Sequence, residues 1–218
     1  MTPRERLLRR LRRGGITDER VLAAIGSVPR ELFVPEQLRS RAYMDGALPI
    51  GYGATISQPT MVARMCEDLR LTGDERVLDV GTGSGYQAAV LAELAAEVVG
   101  IERVPELAEQ ARTALVAAGY PGVEVHVGDG TLGLPERAPF DAIVVAAAAP
   151  RPPAALVAQL APGGRLVVPV GSRRDQRLEV VIRTESGPEV VRSVPCRFVP
   201  LVGAEGFDEP GSGHVPRA

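Results

Sequence analysis

The spacing of apolar positions changes twice along the chain, and each change marks a different kind of structure. Over residues 1 to about 45 the apolar side chains come in short bursts, Leu7, Leu8 and Leu11 and then Val21, Leu22 and Ile25, which predicts short helices. Thr17 and Asp18 read as caps of the second burst and Pro29 as its stop. Glu31 to Leu38 predicts a further patch that bends at Pro35. Pro49 to Pro59 has no helical period, and Gly51 and Gly53 predict a loop or tight hairpin there.

From Met61 the pattern becomes regular. Met61, Met65 and Leu69 share one helical face. Short apolar strands are predicted at Arg76 to Val80, Val98 to Ile101, Val123 to Val127, Phe140 to Val145 and Arg165 to Val170. Helices fall between them at Tyr86 to Leu94, Pro105 to Ala118 and Leu156 to Leu160. Strands alternating with helices predict a parallel sheet covered on both faces. Leu178 to Arg183, Val190 to Val194 and Arg197 to Leu201 then follow without helices, which predicts antiparallel strands closing one sheet edge. Residues 208–218 read as a disordered tail. The expectation is one domain over 1–218, with N-terminal helices and a covering loop over 1–57 and the sheet over 58–207.

Composition narrows the classes. With 218 residues, 45% hydrophobic and 24% charged, the chain can bury one substantial core. No apolar run approaches the ~20 residues of a membrane span. A net charge of −2 gives no electrostatic reason to expect nucleic acid. All 25 basic residues are arginine, and the cluster from Arg4 to Arg13 reads as the solvated face of a helix rather than a phosphate-binding arm. Cys66 and Cys196 have no metal-ligand spacing, and two thiols suit a reducing cytoplasm.

The strongest local signal is Asp79-Val80-Gly81-Thr82-Gly83-Ser84-Gly85-Tyr86, at the first strand-to-helix turn of the sheet. Glycines there let a ligand approach the backbone, and the helix start offers free N–H groups. A dinucleotide fingerprint would need glycine where Tyr86 stands. Asp79, just before the glycines, would repel a pyrophosphate but suits S-adenosylmethionine, which carries an ammonium and a sulfonium. Glu102 ends the next strand, where an acid would hydrogen-bond ribose hydroxyls, and Asp129 ends the third, where it could accept from an adenine amino group. Each acid alone could equally be a loop cap.

The acceptor is narrowed by what is missing. Amino-group methylases of nucleic acids carry an Asn- or Asp-Pro-Pro-aromatic turn after the fourth strand, and this chain has Ala146-Ala147-Ala148-Ala149-Pro150. Cys196 lies too far along the chain for the cysteine of cytosine-carbon methylation. His126 is in a strand and His214 in the tail, so neither reads as a base. A site without a general base suits a carboxylate, which has a pKa near ~4 and is already an anion at pH 7. Ser57 before Gln58-Pro59 reads from residue chemistry first as a helix cap.

Leu48-Pro49-Ile50-Gly51 followed by Thr55-Ile56-Ser57-Gln58-Pro59-Thr60-Met61 resembles the signature of the protein-L-isoaspartate O-methyltransferases. The resemblance continues through the glycine turn, Gly128-Asp129-Gly130, Ala138-Pro139-Phe140-Asp141, Pro162-Gly163-Gly164 and Arg197-Phe198-Val199-Pro200-Leu201, over most of residues 17 to 203. It implies a Rossmann-like class I methyltransferase, α/β, with a doubly wound, mostly parallel sheet, antiparallel C-terminal strands and an N-terminal helical extension. It also implies methylation of the free carboxylate of L-isoaspartyl residues in damaged proteins and peptides, from S-adenosylmethionine, with repair through a succinimide. By the resemblance Ser57 is the active-site hydroxyl, and Ser57, Val199 and Val202 bind substrate. The cofactor set is Thr55, Ile56, Ser57, Asp79, Gly81, Thr82, Gly83, Glu102, Arg103, Asp129 and Gly130, with S-adenosylhomocysteine as product and no metal. Thr131 after Gly130 and the arginine-rich first helix depart from the common pattern. The expected state is a cytoplasmic monomer without nucleic-acid or membrane partners. Two rivals are a methyltransferase of a normal aspartyl residue in a biosynthetic peptide and a non-catalytic binding module.

Overall fold

Local capping defines the first helices. In α1 (Pro3–Arg13) the Thr2 side chain accepts from the Glu5 N–H while Glu5 reaches back to the Thr2 N–H, a reciprocal box that satisfies two otherwise orphaned donors. Leu7 and Leu11 are its buried stripe, and arginines occupy the other faces. In α2 (Glu19–Ser27) the cap is Asp18, whose carboxylate accepts from Arg20 and Val21 N–H groups. Thr17 does not cap; its N–H and hydroxyl donate to Glu67, tying the start of α2 to α3 (Pro59–Leu69). The patch expected over Glu31 to Leu38 is two 3-10 turns, Arg30–Phe33 and Glu36–Arg41, broken at Pro35.

The structure is a computed structural model and describes residues 1–209. The glycine-punctuated stretch forms a tight antiparallel hairpin, β1 (Leu48–Gly51) with β2 (Ala54–Ile56). The main alternation follows as β3 (Arg76–Val80), α4 (Tyr86–Ala92), β4 (Glu97–Glu102), α5 (Pro105–Ala117), β5 (Glu124–Val127), β6 (Phe140–Val145), α6 (Ala154–Ala158), β7 (Leu160–Gly171), β8 (Gln176–Thr184) and β9 (Gly187–Cys196). These strands form one sheet in the order β5-β4-β3-β6-β7-β8-β9. β5 to β7 are parallel in that order, and β8 and β9 add antiparallel. The chain runs outward through β4 and β5, then returns to the other side of β3 with β6. In such sheets the reversal opens a crevice beyond the carboxyl ends of the strands.

Both faces are buried at the centre of the sheet, in β3, β4, β6 and β7, while β9 at one edge is largely exposed. Val77, Ala142, Val144 and Val167 pack with the N-terminal helices, α3, α4 and α5, while Leu78, Val80, Ile143, Val145 and Leu166 pack with α6 and the loops around it. Asp79 alternates with Leu78 and Val80, so its side chain lies on the Val77 face, towards α3 and α4.

Two sequence expectations are corrected at the C-terminal side. The helix expected over Leu156 to Leu160 ends at Ala158, because Gln159 already accepts from Phe140 N–H across the sheet and Leu160 opens β7. Arg197 to Leu201 is not a third antiparallel strand. Pro195 and Pro200 each lack a ladder donor, and Gln176 takes the Phe198 backbone instead, donating to its carbonyl at 3.2 Å and accepting its N–H at 2.6 Å. The segment turns off the sheet edge and crosses the end of β6, where Ala148 donates to Val199 O at 2.8 Å and Leu201 donates to Ala148 O at 2.7 Å. Beyond Asp208 and Glu209, the expected disordered tail, with His214, lies outside the described residues.

Candidate active site

The turn after β3 needs glycine for steric reasons. Gly81 has φ 76°, and at Gly85, with φ 87°, a β-carbon would lie 3.1 Å from Leu115 of α5. Glu102, at the end of β4, holds the turn from the side: it accepts from Gly83 N–H at 2.9 Å and from Val104 N–H at 3.0 Å. Its carboxylate is thereby aimed into a cleft of about 390 Å³ beyond the strand ends. That is within the ~300–1,000 Å³ typical of small-molecule sites.

Asp79 lies behind the turn. It is wholly buried, and neither carboxyl oxygen has a hydrogen-bond partner among the described residues. Burial pushes its pKa up to about 7; the nearby Thr82 hydroxyl works against the rise, and the Glu102 charge adds to it. That hydroxyl donates to the Asp79 backbone carbonyl at 3.1 Å. Gln87, one residue into α4 from Tyr86, is 6% exposed and lines the cleft with both amide atoms unpaired among the described residues. A buried carboxyl and a buried amide left without partners beside one cleft form a ready site for a ligand that is both cationic and hydrogen-bonding.

The sequence-derived set divides clearly. Thr55, Ile56, Ser57, Gly81, Thr82, Gly83, Glu102, Arg103, Gly130, Val199 and Val202 all line this cleft. Asp79 stands behind its surface. Asp129 turns away: one oxygen accepts from the Thr131 N–H at 2.9 Å and hydroxyl at 2.7 Å, the other from Ala204 N–H at 2.8 Å. These bonds, led by that of Ala204, outweigh the burial and hold its carboxyl below its ordinary pKa. Arg103 donates to Glu209 at 2.7 Å. His126 is half-buried on β5 and does not line the cleft.

Ser57 joins β2 to α3, yet Gln58 is the helix N-cap and no side chain caps the helix. The Ser57 hydroxyl has no hydrogen bond among the described residues, so it does not fill the capping role its sequence context suggested. It lies instead between two cavities. A second cleft of about 460 Å³ adjoins the first, and Thr55, Ser57, Ala146 and Val199 line both.

Sequence reasoning missed several residues. Cys196, set aside as too distant, lines the outer cleft because β9 returns the chain to the strand ends. Burial pushes its thiol up to about 11, so it is protonated at neutral pH. Arg30 is fully buried, donating to Ala42 O and to Ser57 O, each at 2.8 Å, with its guanidinium 4.4 Å from the Tyr86 ring centroid. A polar residue in an irregular segment leaves no periodic trace, so only the lone arginine between Pro29 and Glu31 could have pointed to it.

Against known proteins, the sequence profile of the protein-L-isoaspartate(D-aspartate) O-methyltransferases matches residues 2–206. The chain belongs to that family. A protein-L-isoaspartate O-methyltransferase 2 of Marinobacter nauticus is 59% identical over 195 residues, 88% of this chain and 89% of that protein. Among solved structures, a protein-L-isoaspartate O-methyltransferase superposes with TM-score 0.82 at 30% identity, covering 93% of this chain and 66% of that one. A family member from Plasmodium falciparum, solved with S-adenosyl-L-homocysteine, superposes with TM-score 0.75 at 27% identity, covering 91% and 98%. The doubly wound sheet with antiparallel C-terminal strands is therefore the methyltransferase fold expected from the sequence.

Proposed function

We propose that the chain transfers a methyl group from S-adenosylmethionine to the free carboxylate of L-isoaspartyl residues in proteins and peptides, with Ser57 as the residue that orients the acceptor. The observation that carries this reading is the shared wall. Ser57 borders both the glycine-turn cleft and the outer cleft, so one hydroxyl touches the place for a methyl donor and the place for an acceptor.

The inner cleft fits the cofactor on its own chemistry. Bound there, S-adenosylmethionine supplies an electrophilic methyl on a sulfonium. Asp79 and Glu102 put negative charge around a cationic ligand, Glu102 offers its free lone pairs to hydroxyls, and the Gln87 amide is an unused donor and acceptor. Thr55 and Ile56 of β2, Thr82, Arg103 and Gly130 complete the walls. Asp129 supports the site from behind, holding the 203–205 loop through Ala204 and Thr131.

The acceptor needs no base, because a carboxylate is ionised at neutral pH. What the residues supply is placement and removal of water. Met61, Phe198 and Val199 make the outer cleft largely apolar, and the unengaged Ser57 hydroxyl can donate to one carboxylate oxygen while the other attacks. Cys196, held protonated by burial, is not a competing nucleophile. The methyl ester carries a methoxy leaving group, so a backbone amide nitrogen of the released peptide can attack its carbonyl and close the succinimide with loss of methanol, a step the ionised acid cannot take. Nothing in either cleft favours the aspartyl-peptide or binding-module alternatives.

We further infer one folding unit acting as a monomer, and a cytoplasmic location on the support of two free cysteines. Among the described residues no helix is long and apolar enough to cross a membrane. The test of the function is methyl transfer from labelled cofactor to two peptides that differ only in isoaspartate against aspartate. Base-labile label on the isoaspartyl peptide alone is the expected result, and label on the aspartyl peptide alone would overturn it.

A further inference from the structure

The charges around the two clefts are segregated. Glu102 lines the inner cleft with Asp79 buried behind it, and the cleft's one lining arginine, Arg103, is engaged with Glu209. Of the residues lining the outer cleft, only Arg197 is charged. Arg197 is exposed and has neither an ion pair nor a hydrogen bond from its side chain among the described residues. Its neighbour Arg177, by contrast, donates to the hydroxyl and carbonyl of Ser193.

The backbone that presents Arg197 is held in place. Gln176, 4% exposed, grips Phe198 through both its N–H and its carbonyl, and Pro195 and Pro200 restrict the chain on either side. This is the same arrangement that turns the segment off the sheet edge and over the strand ends. An arginine fork on a fixed backbone suits bidentate pairing with a carboxylate. The rest of the wall gives a reason to need one: beside the neutral donors Thr55, Ser57 and Gln58 stand the apolar Ala47, Met61, Ala146, Phe198 and Val199, and an anion stripped of water among them gains most from a positively charged partner.

We propose that Arg197 is a specificity-determining residue, receiving a carboxylate of the peptide substrate in the outer cleft beside Ser57. The inference rests on the methyl-transfer reading above and says which feature of the substrate the cleft reads. The carboxylate is either the acceptor itself or that of an acidic residue next to it. Arg197 selects and holds the anion; it takes no part in proton movement.

The test uses the full chain with Arg197→Gln, Arg197→Lys and Arg197→Glu. Two isoaspartyl peptides are compared, one with uncharged neighbours and one with glutamate beside the isoaspartate. KM and kcat are measured for each, with cofactor affinity measured separately. Arg197→Gln is expected to raise KM by about tenfold with kcat and cofactor affinity little changed, the size of one charge-assisted contact. Arg197→Lys should recover part of that loss, and Arg197→Glu should be worse than Arg197→Gln. A loss on both peptides assigns Arg197 to the acceptor carboxylate, and a loss on the glutamate peptide alone assigns it to the neighbour. Both peptides unchanged within twofold, in an active enzyme, would overturn the inference while leaving methyl transfer standing. A wild-type chain inactive on both peptides would overturn the two together.

Discussion

Arg30 and Ser57 are joined by a hydrogen bond of 2.8 Å from the buried guanidinium to the serine carbonyl. The same side chain donates to Ala42 O and lies over the ring of Tyr86, the residue after the glycine turn. One buried cation therefore links the covering hairpin to the cofactor turn with no carboxylate within 4.0 Å among the described residues. Arg30→Lys keeps the charge but cannot span both carbonyls. Turnover should fall by about tenfold, the effect of losing one hydrogen bond of ~1.4 kcal/mol in the transition state, while cofactor affinity holds. Arg30→Met orphans two carbonyls at ~1–3 kcal/mol each and should lower Tm by several degrees. Thermal melts alongside steady-state kinetics check both; unchanged kcat in a correctly melting Arg30→Lys would disprove the positioning role.

Ser57→Ala should lower kcat strongly while leaving S-adenosylmethionine affinity within about threefold, since the hydroxyl caps no helix and contributes no bond to the fold. Calorimetric titration with the cofactor, beside a turnover assay, separates the two quantities. Lost binding with normal turnover of the bound fraction would refute this.

Asp79 gives the protein a pH dependence of defined sign. Below its ordinary value of 3.8 the carboxyl is protonated in both folded and unfolded chains; between 3.8 and about 7 only the folded chain keeps the proton. Stability of the unliganded protein should fall as pH rises through that window and level off above it. A cation in the adjoining cleft favours the ionised form, so cofactor affinity should rise from pH 5 to pH 7, by at most about tenfold per unit. Asp79→Asn should flatten both trends. Melting temperatures and binding isotherms at pH 5, 6, 7 and 8 measure them; affinity that falls towards pH 7 would be incompatible with this account.

Cys196 should prove dispensable. A thiol pushed up to about 11 is almost entirely protonated at pH 7. Cys196→Ser should keep most of the methyl transfer activity, and alkylation of Cys196 at pH 7 should be slower than that of an unhindered thiol. Mass spectrometry after timed iodoacetamide treatment gives the rate, and fast labelling would contradict the assignment.

Most of the sheet could be read from the chain because its strands are continuous apolar runs, each bounded by glycine, proline or a cap. The glycine turn and Glu102 were legible for a related reason: both sit where a strand must end. Arg197 to Leu201 was misread because its apolar alternation is that of a strand, while the features that pull it off the edge are two prolines and the side chain of Gln176, some twenty residues away. Ser57 looked like a cap because serine before a proline-initiated helix commonly is one, and only the fold reveals Gln58 in that position. Asp129 stands at a strand end as expected, but the bonds its carboxylate accepts from Thr131 and Ala204 come from contacts that no strand pattern records. Arg30 and Cys196 owe their positions to contacts distant in sequence, which no local pattern records.

The crossing of β6 by Val199 to Leu201 divides the two clefts by how far apart in the chain their walls originate. The inner cleft shares the walls near 57, 146 and 199 but has a floor of its own from residues 81 to 102, a single turn–helix–strand unit, whereas the outer cleft exists only when those distant segments meet. Segments held by few long-range hydrogen bonds open first in the native ensemble. Amide exchange should therefore be faster at Val199 and Leu201 than along β3 and β4. Mild denaturant should then yield a species that retains its nucleoside pocket after its peptide groove has come apart, so that methyl transfer is lost before the ligand is released.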